Sequence, residues 1–305
     1  MKIHPLQPYL RSDLWGGTRL FSYGKESEAV RNAGCISESW ELSFTKGGEA
    51  TLQDGTPLPA AFGAADFGAR AERFPFFPVL TKFIDAKKNL SVQVHPSDEY
   101  ALKNEGQFGK CEMWYILEAE EGAGLYLGFE RETTAEEVRA AALDGTVEGL
   151  LHFQPVKPGE VYFIPPGTVH AIGAGVLLFE IQQNSTLTYR LYDYKRRDKD
   201  GNERPLHLEK GLLVTNFSPY KPQAISGDDP ALIGTCSYFE TRLYKPNFTN
   251  SIKFEIKDSF VGLTCVRGEG DVNGQKITRG ESVFIPANSG EILLSGDMEI
   301  LAVSV

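Results

Sequence analysis

Short apolar runs broken by glycine and proline recur along this chain. They include "FFPVLTKFID" from Phe76, "LSVQVH" from Leu90, "CEMWYIL" from Cys111, "GLYLGF" from Gly124, "EVYFIP" from Glu160 and "GVLLFEIQ" from Gly175. Several alternate in polarity or are rich in Val, Ile, Phe and Tyr, which predicts strands. Helical patterns are fewer. "SDEYALKNEG" starts at Ser97, a good N-cap, and stops at Gly106; "TAEEVRAAALDG" pairs Thr134 with Glu137 in a capping box and stops at Gly145. "HLEKGLLVTNF" predicts a short third helix. No GxGxxG opens a helix, so barrels or sandwiches are favoured over a doubly wound parallel sheet.

One internal repeat is visible. "GEVYFIPPGTVHAI" starts at Gly159 and "GESVFIPANSGEIL" at Gly280, an offset of 121 residues. Each copy reads as a tight turn, a strand and a proline that ends it. The duplication predicts two related β-barrel domains. The boundary is placed at 225/226, inside the Pro- and Gly-rich "SPYKPQAISGDDP". This gives a domain over 1–225 and a smaller one over 226–305. His170 of the first copy aligns with Glu291 of the second, and residues 221–305 contain no histidine. The chemistry is therefore expected in the first domain, with the second structural or covering it.

Composition narrows the function classes. The charged fraction of 24% and apolar fraction of 41% are those of an ordinary globular chain. No window approaches the 18 apolar residues of a membrane span. The first residues lack the apolar core of a secretory signal, so the cytoplasm is the expected location. A net charge of -10 disfavours nucleic acid and anionic membranes as partners. The densest basic run, "YKRRDKDGNER" (Tyr194 to Arg204), is interleaved with acids and reads as a solvated turn. Four separated cysteines, Cys35, Cys111, Cys236 and Cys265, show no CxxC spacing and read as reduced core thiols.

Gln93 and His95 are two apart, so on a strand they share a face. Lys110, Glu112 and Trp114 share one by the same rule. His170 follows "IPPGTV" and starts another strand. Three strands can thus bring an amide oxygen, two imidazoles and one carboxylate together. Such donors suit Zn²⁺, with Fe²⁺ or Mn²⁺ as alternatives, or the same residues are hydrogen-bonded core groups. Glu180, in "LLFEIQ", is a candidate proton carrier or else the partner of a nearby arginine. Arg190, in "TYRLYD", is a candidate site residue or the partner of Asp193. His4, His152 and His207 lack comparable partners and read as surface or structural groups.

"GEVYFIPPGTVH" resembles the second metal-binding motif of the cupins, with Ala174 where that motif usually carries Asn. The first motif departs from the usual HxH: it reads Gln93-Val94-His95, with Glu112 displaced beyond an inserted helix. With "LWGGTRL", "SESW", "PFFPVLTKFIDAKKNLSVQVHP", "GKCEMWYIL" and "FEIQQNSTLTYRLYDY", the chain resembles the type I mannose-6-phosphate isomerases, short bacterial form, nearly end to end. That resemblance implies a mainly β fold of cupin (jelly-roll) barrels with a few short helices: a catalytic domain with helical insertions, then a degenerate cupin-like domain. It implies one Zn²⁺ per chain on Gln93, His95, Glu112 and His170, and catalytic roles for Arg190 and Lys110. The implied reaction interconverts mannose 6-phosphate and fructose 6-phosphate. A monomer is expected, with a dimer left open. Thr186 stands where short-form relatives often carry Asp. Trp15 and Trp40 are part of the resemblance but are assigned no role. The competing functions are a non-catalytic sugar-phosphate-binding cupin and a cupin oxygenase; the lack of HxH argues against the second, and the retained Arg190 and Lys110 against the first.

Overall fold

The computed structural model describes residues 2–198, 200–222, 229 and 231–305. Strands dominate and fall into three sheets whose pairs are all antiparallel. A six-stranded sheet runs in the order Val161–Ile164, Glu112–Ala119, Val176–Gln183, Val79–Asp85, Glu38–Trp40, Tyr9–Arg11. A five-stranded sheet runs Tyr189–Tyr192, Val92–Val94, His170–Ile172, Gly124–Phe129, Leu151–Pro155. A nine-stranded sheet is built mostly from residues after 231, but it recruits His4–Gln7 and Thr51–Leu52 at one edge.

Among the described residues no sheet closes on itself, so the expectation of two β-barrels is corrected: the strands form open sheets laid face to face. The physical reason lies in what alternation encodes. An apolar-polar period fixes which face of a strand is buried. Closure depends on strand tilt and stagger, which no single strand's pattern carries.

The six-stranded sheet is the middle layer. Along Glu112–Ala119, Trp114 and Ile116 pack with Leu178, Leu125, Leu127 and Ile172 towards the five-stranded sheet. The intervening Met113 and Tyr115 pack with Phe179, Phe284, Leu301 and Val303 towards the nine-stranded sheet. A strand covered on both sides reads as an almost continuous apolar run, which "CEMWYIL" is. The C-terminal sheet therefore lies against the back of the middle layer. Gly234 permits a close approach there, since a Cβ at that position would meet the Met113 side chain. Cys111 and Cys236 meet in the same junction as free thiols, with Sγ atoms 3.2 Å apart.

The three predicted helices form as Asp98–Glu105, Ala135–Asp144 and Leu208–Val214. Ser97 and Thr134 cap the first two, with the Thr134–Glu137 capping box complete, and Gly106 and Gly145 end them in left-handed conformation. Among the described residues, further helices are pieces of one or two turns that periodicity cannot reveal. The repeat yields equivalent strands, Val161–Ile164 and Ser282–Ile285, each entered through a left-handed glycine, Gly159 and Gly280. The boundary expected at 225/226 lies outside the described residues.

Candidate metal centre and active-site cleft

The site forms where the five-stranded sheet faces the middle layer. Within the five-stranded sheet, Gln93 lies across from both His170 and Arg190 on its two neighbouring strands. His95 follows Val92–Val94 and holds the turn before His170, because its carbonyl accepts from Gly167 N at 2.8 Å. Gly167 adopts φ 86°, which only glycine takes without strain, and a Cβ there would meet Val214 O at 3.0 Å. Glu112 opens its strand on the facing sheet.

His95, Glu112 and His170 are all buried, and their donor atoms lie within 4.8 Å of one another. The hydrogen bonds at the back of each imidazole fix its tautomer. His95 Nδ1 is 2.8 Å from Leu187 O and His170 Nδ1 is 2.8 Å from Thr168 O. A carbonyl only accepts, so both Nδ1 atoms carry the proton and both Nε2 atoms present bare lone pairs. Those lone pairs point at a carboxylate: His95 Nε2 is 3.1 Å from Glu112 Oε1 and His170 Nε2 is 3.7 Å from Glu112 Oε2. His95 Nε2 and Glu112 Oε2 are buried without any hydrogen bond.

Charge states agree with this picture. Burial pushes the His170 imidazole down to about 4. Burial, reinforced by Lys110, also lowers that of His95. Burial by itself would raise the Glu112 carboxyl, but Lys110 and then the two imidazoles hold it well below the usual carboxylate range. Two neutral imidazoles and one carboxylate therefore surround one point, all acceptors. Such a cluster is repulsive until a cation lies among them, so these residues fit a single metal ion. The donor set suits zinc. Gln93 completes the ring, with its Nε2 3.3 Å from His170 Nε2. A half-turn of that amide exchanges N for O and presents Oε1 to the cluster.

Beside the cluster opens a cleft of about 260 Å³. Lys110 donates to Glu112 Oε1 and its Nζ lies 3.8 Å from Glu180 Oε1. Glu180 accepts from Trp114 Nε1 at 3.0 Å and lies 3.1 Å from Lys82 Nζ, so its partner is a lysine and not the arginine weighed from sequence. Lys82 also approaches Glu38 at 3.5 Å. Burial would lower the Lys82 ammonium, yet Glu180 and Glu38 together hold it above its ordinary value. Arg190 reaches the cleft from the edge strand. It donates Nη1 to Pro205 O at 2.9 Å, and its buried Nε has no hydrogen bond. The alternative pairing with Asp193 is not what the structure shows: Asp193 is taken by Arg196 and Arg204.

Trp15 and Trp40, left without roles, line this cleft, as do Arg11, Glu38, Lys82 and Arg204. Sequence reasoning missed the last four. Lys82 was within reach, since a lysine central to "VLTKFID" is a charge in a wholly buried strand. Arg204 was read as part of a solvated turn. Instead it folds back onto Asp193, while Arg197 and Glu203 keep the outward side. His4, His152 and His207 stay outside the cluster, edge-to-face with Phe62, paired with Glu130, and bonded to the backbone of Arg190 respectively.

Comparison with known proteins agrees with this geometry. Residues 232–305 match the family model "Mannose-6-phosphate isomerase, cupin domain". The mannose-6-phosphate isomerase ManA of Bacillus subtilis is 34% identical, covering 99% of each chain. The mannose-6-phosphate isomerase of Streptococcus mutans is 32% identical over 97% of this chain and 96% of its own. The crystal structure of the Bacillus subtilis mannose 6-phosphate isomerase superposes with a TM-score of 0.88 at 28% identity over the whole of both chains. The apo enzyme of Salmonella typhimurium, at 17% identity and TM-score 0.77 over 99% of both chains, shares the fold. Sequence identity sustained over nearly the full length of its relatives places this chain in the mannose-6-phosphate isomerase family.

Proposed function

We propose that this chain interconverts D-mannose 6-phosphate and D-fructose 6-phosphate, moving a proton between C1 and C2 through an enediol(ate), with one zinc ion per chain. The observation that carries the reading is the cluster of bare acceptors on His95, Glu112 and His170 opening onto a cleft with cationic side chains. Gln93, His95, Glu112 and His170 hold the ion. When bound, it supplies a Lewis acid that draws electron density from a sugar oxygen.

The remaining steps belong to the protein. Arg190 presents an unengaged Nε edge to the oxygen that gains charge as the enediolate forms. Lys110 keeps a second positive charge beside Glu112 and is the other catalytic group. Glu180, with Oε1 3.1 Å from Lys82 Nζ and 3.8 Å from Lys110 Nζ, lines the cleft together with Lys110, and these two are the groups placed to carry the proton. His95 is not, because its Nε2 belongs to the metal cluster and its Nδ1 to Leu187. Trp15 and Trp40 wall the cleft and exclude water from the reacting carbons.

The same reading takes the chain as a cytoplasmic monomer whose partner is a small phosphosugar, with neither nucleic acid nor membrane. No helix among the described residues is long and apolar enough to cross a membrane. The reading divides the sequence into a catalytic part, 1–225, and a supporting part, 226–305. The test is fructose 6-phosphate formation by metal-replete protein, with wash-out of the C2 proton into deuterated water. Full activity after verified metal removal would overturn the cofactor; metal-replete protein that binds the sugar without exchanging the proton would overturn the enzyme.

A further inference from the structure

The five-stranded sheet sets out a row of residues at strand spacing. His170, Gln93 and Arg190 sit side by side on successive strands. Beyond the last strand, the segment through Pro205 and His207 is laced to Arg190 by three hydrogen bonds. Arg190 Nη1 donates to Pro205 O at 2.9 Å, His207 N to Arg190 O at 2.7 Å, and Arg190 N to His207 Nδ1 at 3.2 Å. Arg204 enters the cleft from that segment. It is therefore about two strand spacings, roughly 10 Å, from Gln93. An extended hexose 6-phosphate with C1 and C2 at the metal end reaches about as far with its phosphate.

Arg204 is held in one pose there. Its Nε and Nη2 donate to the two oxygens of Asp193, at 2.7 and 2.6 Å, the two-pronged fit of guanidinium to carboxylate. Asp193 is 4% exposed. Arg196 shares that same carboxylate, and its Nη1 is engaged by Asn89 O at 2.6 Å. Three guanidiniums, Arg190, Arg196 and Arg204, thus gather around a single carboxylate, leaving a local excess of two positive charges. Burial and then Arg204 lower the proton affinity of Arg190, a mark of like charges held together. Asp13, which also lines the cleft, is paired with Arg11 at 2.9 Å and acts on Arg190 more weakly than Arg204, Asp193 or Arg196 does, so it offsets the excess only in part. On a chain of net charge -10, such an excess is a site for an anion.

Resting on the isomerase reading, we propose that Arg204 is the anchor for the substrate's phosphate monoester dianion, with Asp193 as its positioning residue. The Nη1 amine of Arg204, not engaged by Asp193, makes the contact. Thr186 and Thr188 on the same wall add hydroxyl groups and no negative charge. Arg190, one strand nearer the metal, is left for the reacting oxygen. The two arginines then divide the substrate between them.

Arg204→Gln separates the roles. Its KM for mannose 6-phosphate is expected to rise at least about tenfold, with kcat within about threefold of wild type and zinc content unchanged. Inorganic phosphate should inhibit the wild type competitively, and that inhibition should weaken by the same factor in the variant. Arg204→Lys recovers part of the loss, because an ammonium keeps the charge without the fork. If Arg204→Gln does not fold, phenylglyoxal labelling of wild-type zinc protein decides. Inorganic phosphate should protect Arg204 while exposed Arg267 and Arg31 label unchanged, read by peptide mass spectrometry. Unaltered KM, or equal Arg204 labelling with and without phosphate, overturns the proposal. The labelling needs no turnover. A protein that isomerises without protecting Arg204 refutes only this inference; one that protects Arg204 without isomerising refutes only the isomerase reading.

Discussion

His95 Nε2 faces Glu112 Oε1 across 3.1 Å with no proton between them, because the imidazole's single proton is committed to Leu187 O. Two acceptors are not held at that distance by attraction for each other. Lys110 holds the carboxylate and Leu187 the imidazole, and a metal ion is the partner that both sets of lone pairs fit.

Replacing His170 by alanine removes one of the two bare imidazoles while leaving the surrounding β layers intact. His170→Ala should lose bound zinc and nearly all activity, yet keep a cooperative melt and an unchanged far-ultraviolet circular dichroism spectrum. Stoichiometric zinc in the variant by atomic emission would remove His170 from the ligand set. An unfolded variant would make the ion structural.

Arg190→Ala should keep its zinc and lose at least about 100-fold in kcat/KM, the scale for one well-placed transition-state donor. The loss should fall on kcat more than on KM. A rise in KM alone would make Arg190 a binding group, and wild-type kinetics would end its assignment.

The buried His170 gives the metal-free protein an acid weakness. Its imidazole titrates near 6.5 unfolded and about 4 folded, so the unfolded chain takes the proton first as pH falls. This contribution is fully present above about pH 6.5 and is lost by about pH 4, on the order of 3 kcal/mol. Urea unfolding of chelator-treated protein should show the slope between those limits, and His170→Gln should flatten it. Equal slopes would disprove the origin.

Lys82 lies between Glu180, at 3.1 Å, and Glu38, at 3.5 Å, in a buried row of the middle sheet. Lys82→Ala leaves both carboxylates without that charge and should destabilise the fold by about 3–5 kcal/mol. Lys82→Ala combined with Glu180→Gln should recover part of this, measured by the shift of the urea midpoint. Loss below about 1 kcal/mol in the single variant would mean that water or Arg11 already compensates.

Much of the metal cluster was legible because strands repeat with a period of two. Gln93 and His95 declare a shared face by spacing alone, and the glycine-proline turn before His170 is written into the sequence. The contact between His95 and Glu112 was not legible, since it joins two facing sheets. Arg204 was misread for a related reason: its run looks solvated residue by residue, and only the fold-back onto Asp193 brings it inward. Lys82 and Glu180 are paired across adjacent strands, a register no single segment reveals. Barrel closure failed as an expectation because face and edge are independent properties of a strand.

The strand His4–Gln7 pairs with Ser282–Ile285 on one side and Thr51–Leu52 on the other. Most of the sequence lies between this strand and its partner Ser282–Ile285. The loop closed by that pairing is long, and its entropic cost precedes any reward from the hydrogen bonds it brings. During synthesis on a ribosome, residues 4–7 emerge well before 282–285 and must wait for them with one edge unmatched. The strand is three residues of ordinary polarity and one buried leucine, Leu6, and it carries Pro5. That makes it a poor template for a neighbouring polypeptide while it waits.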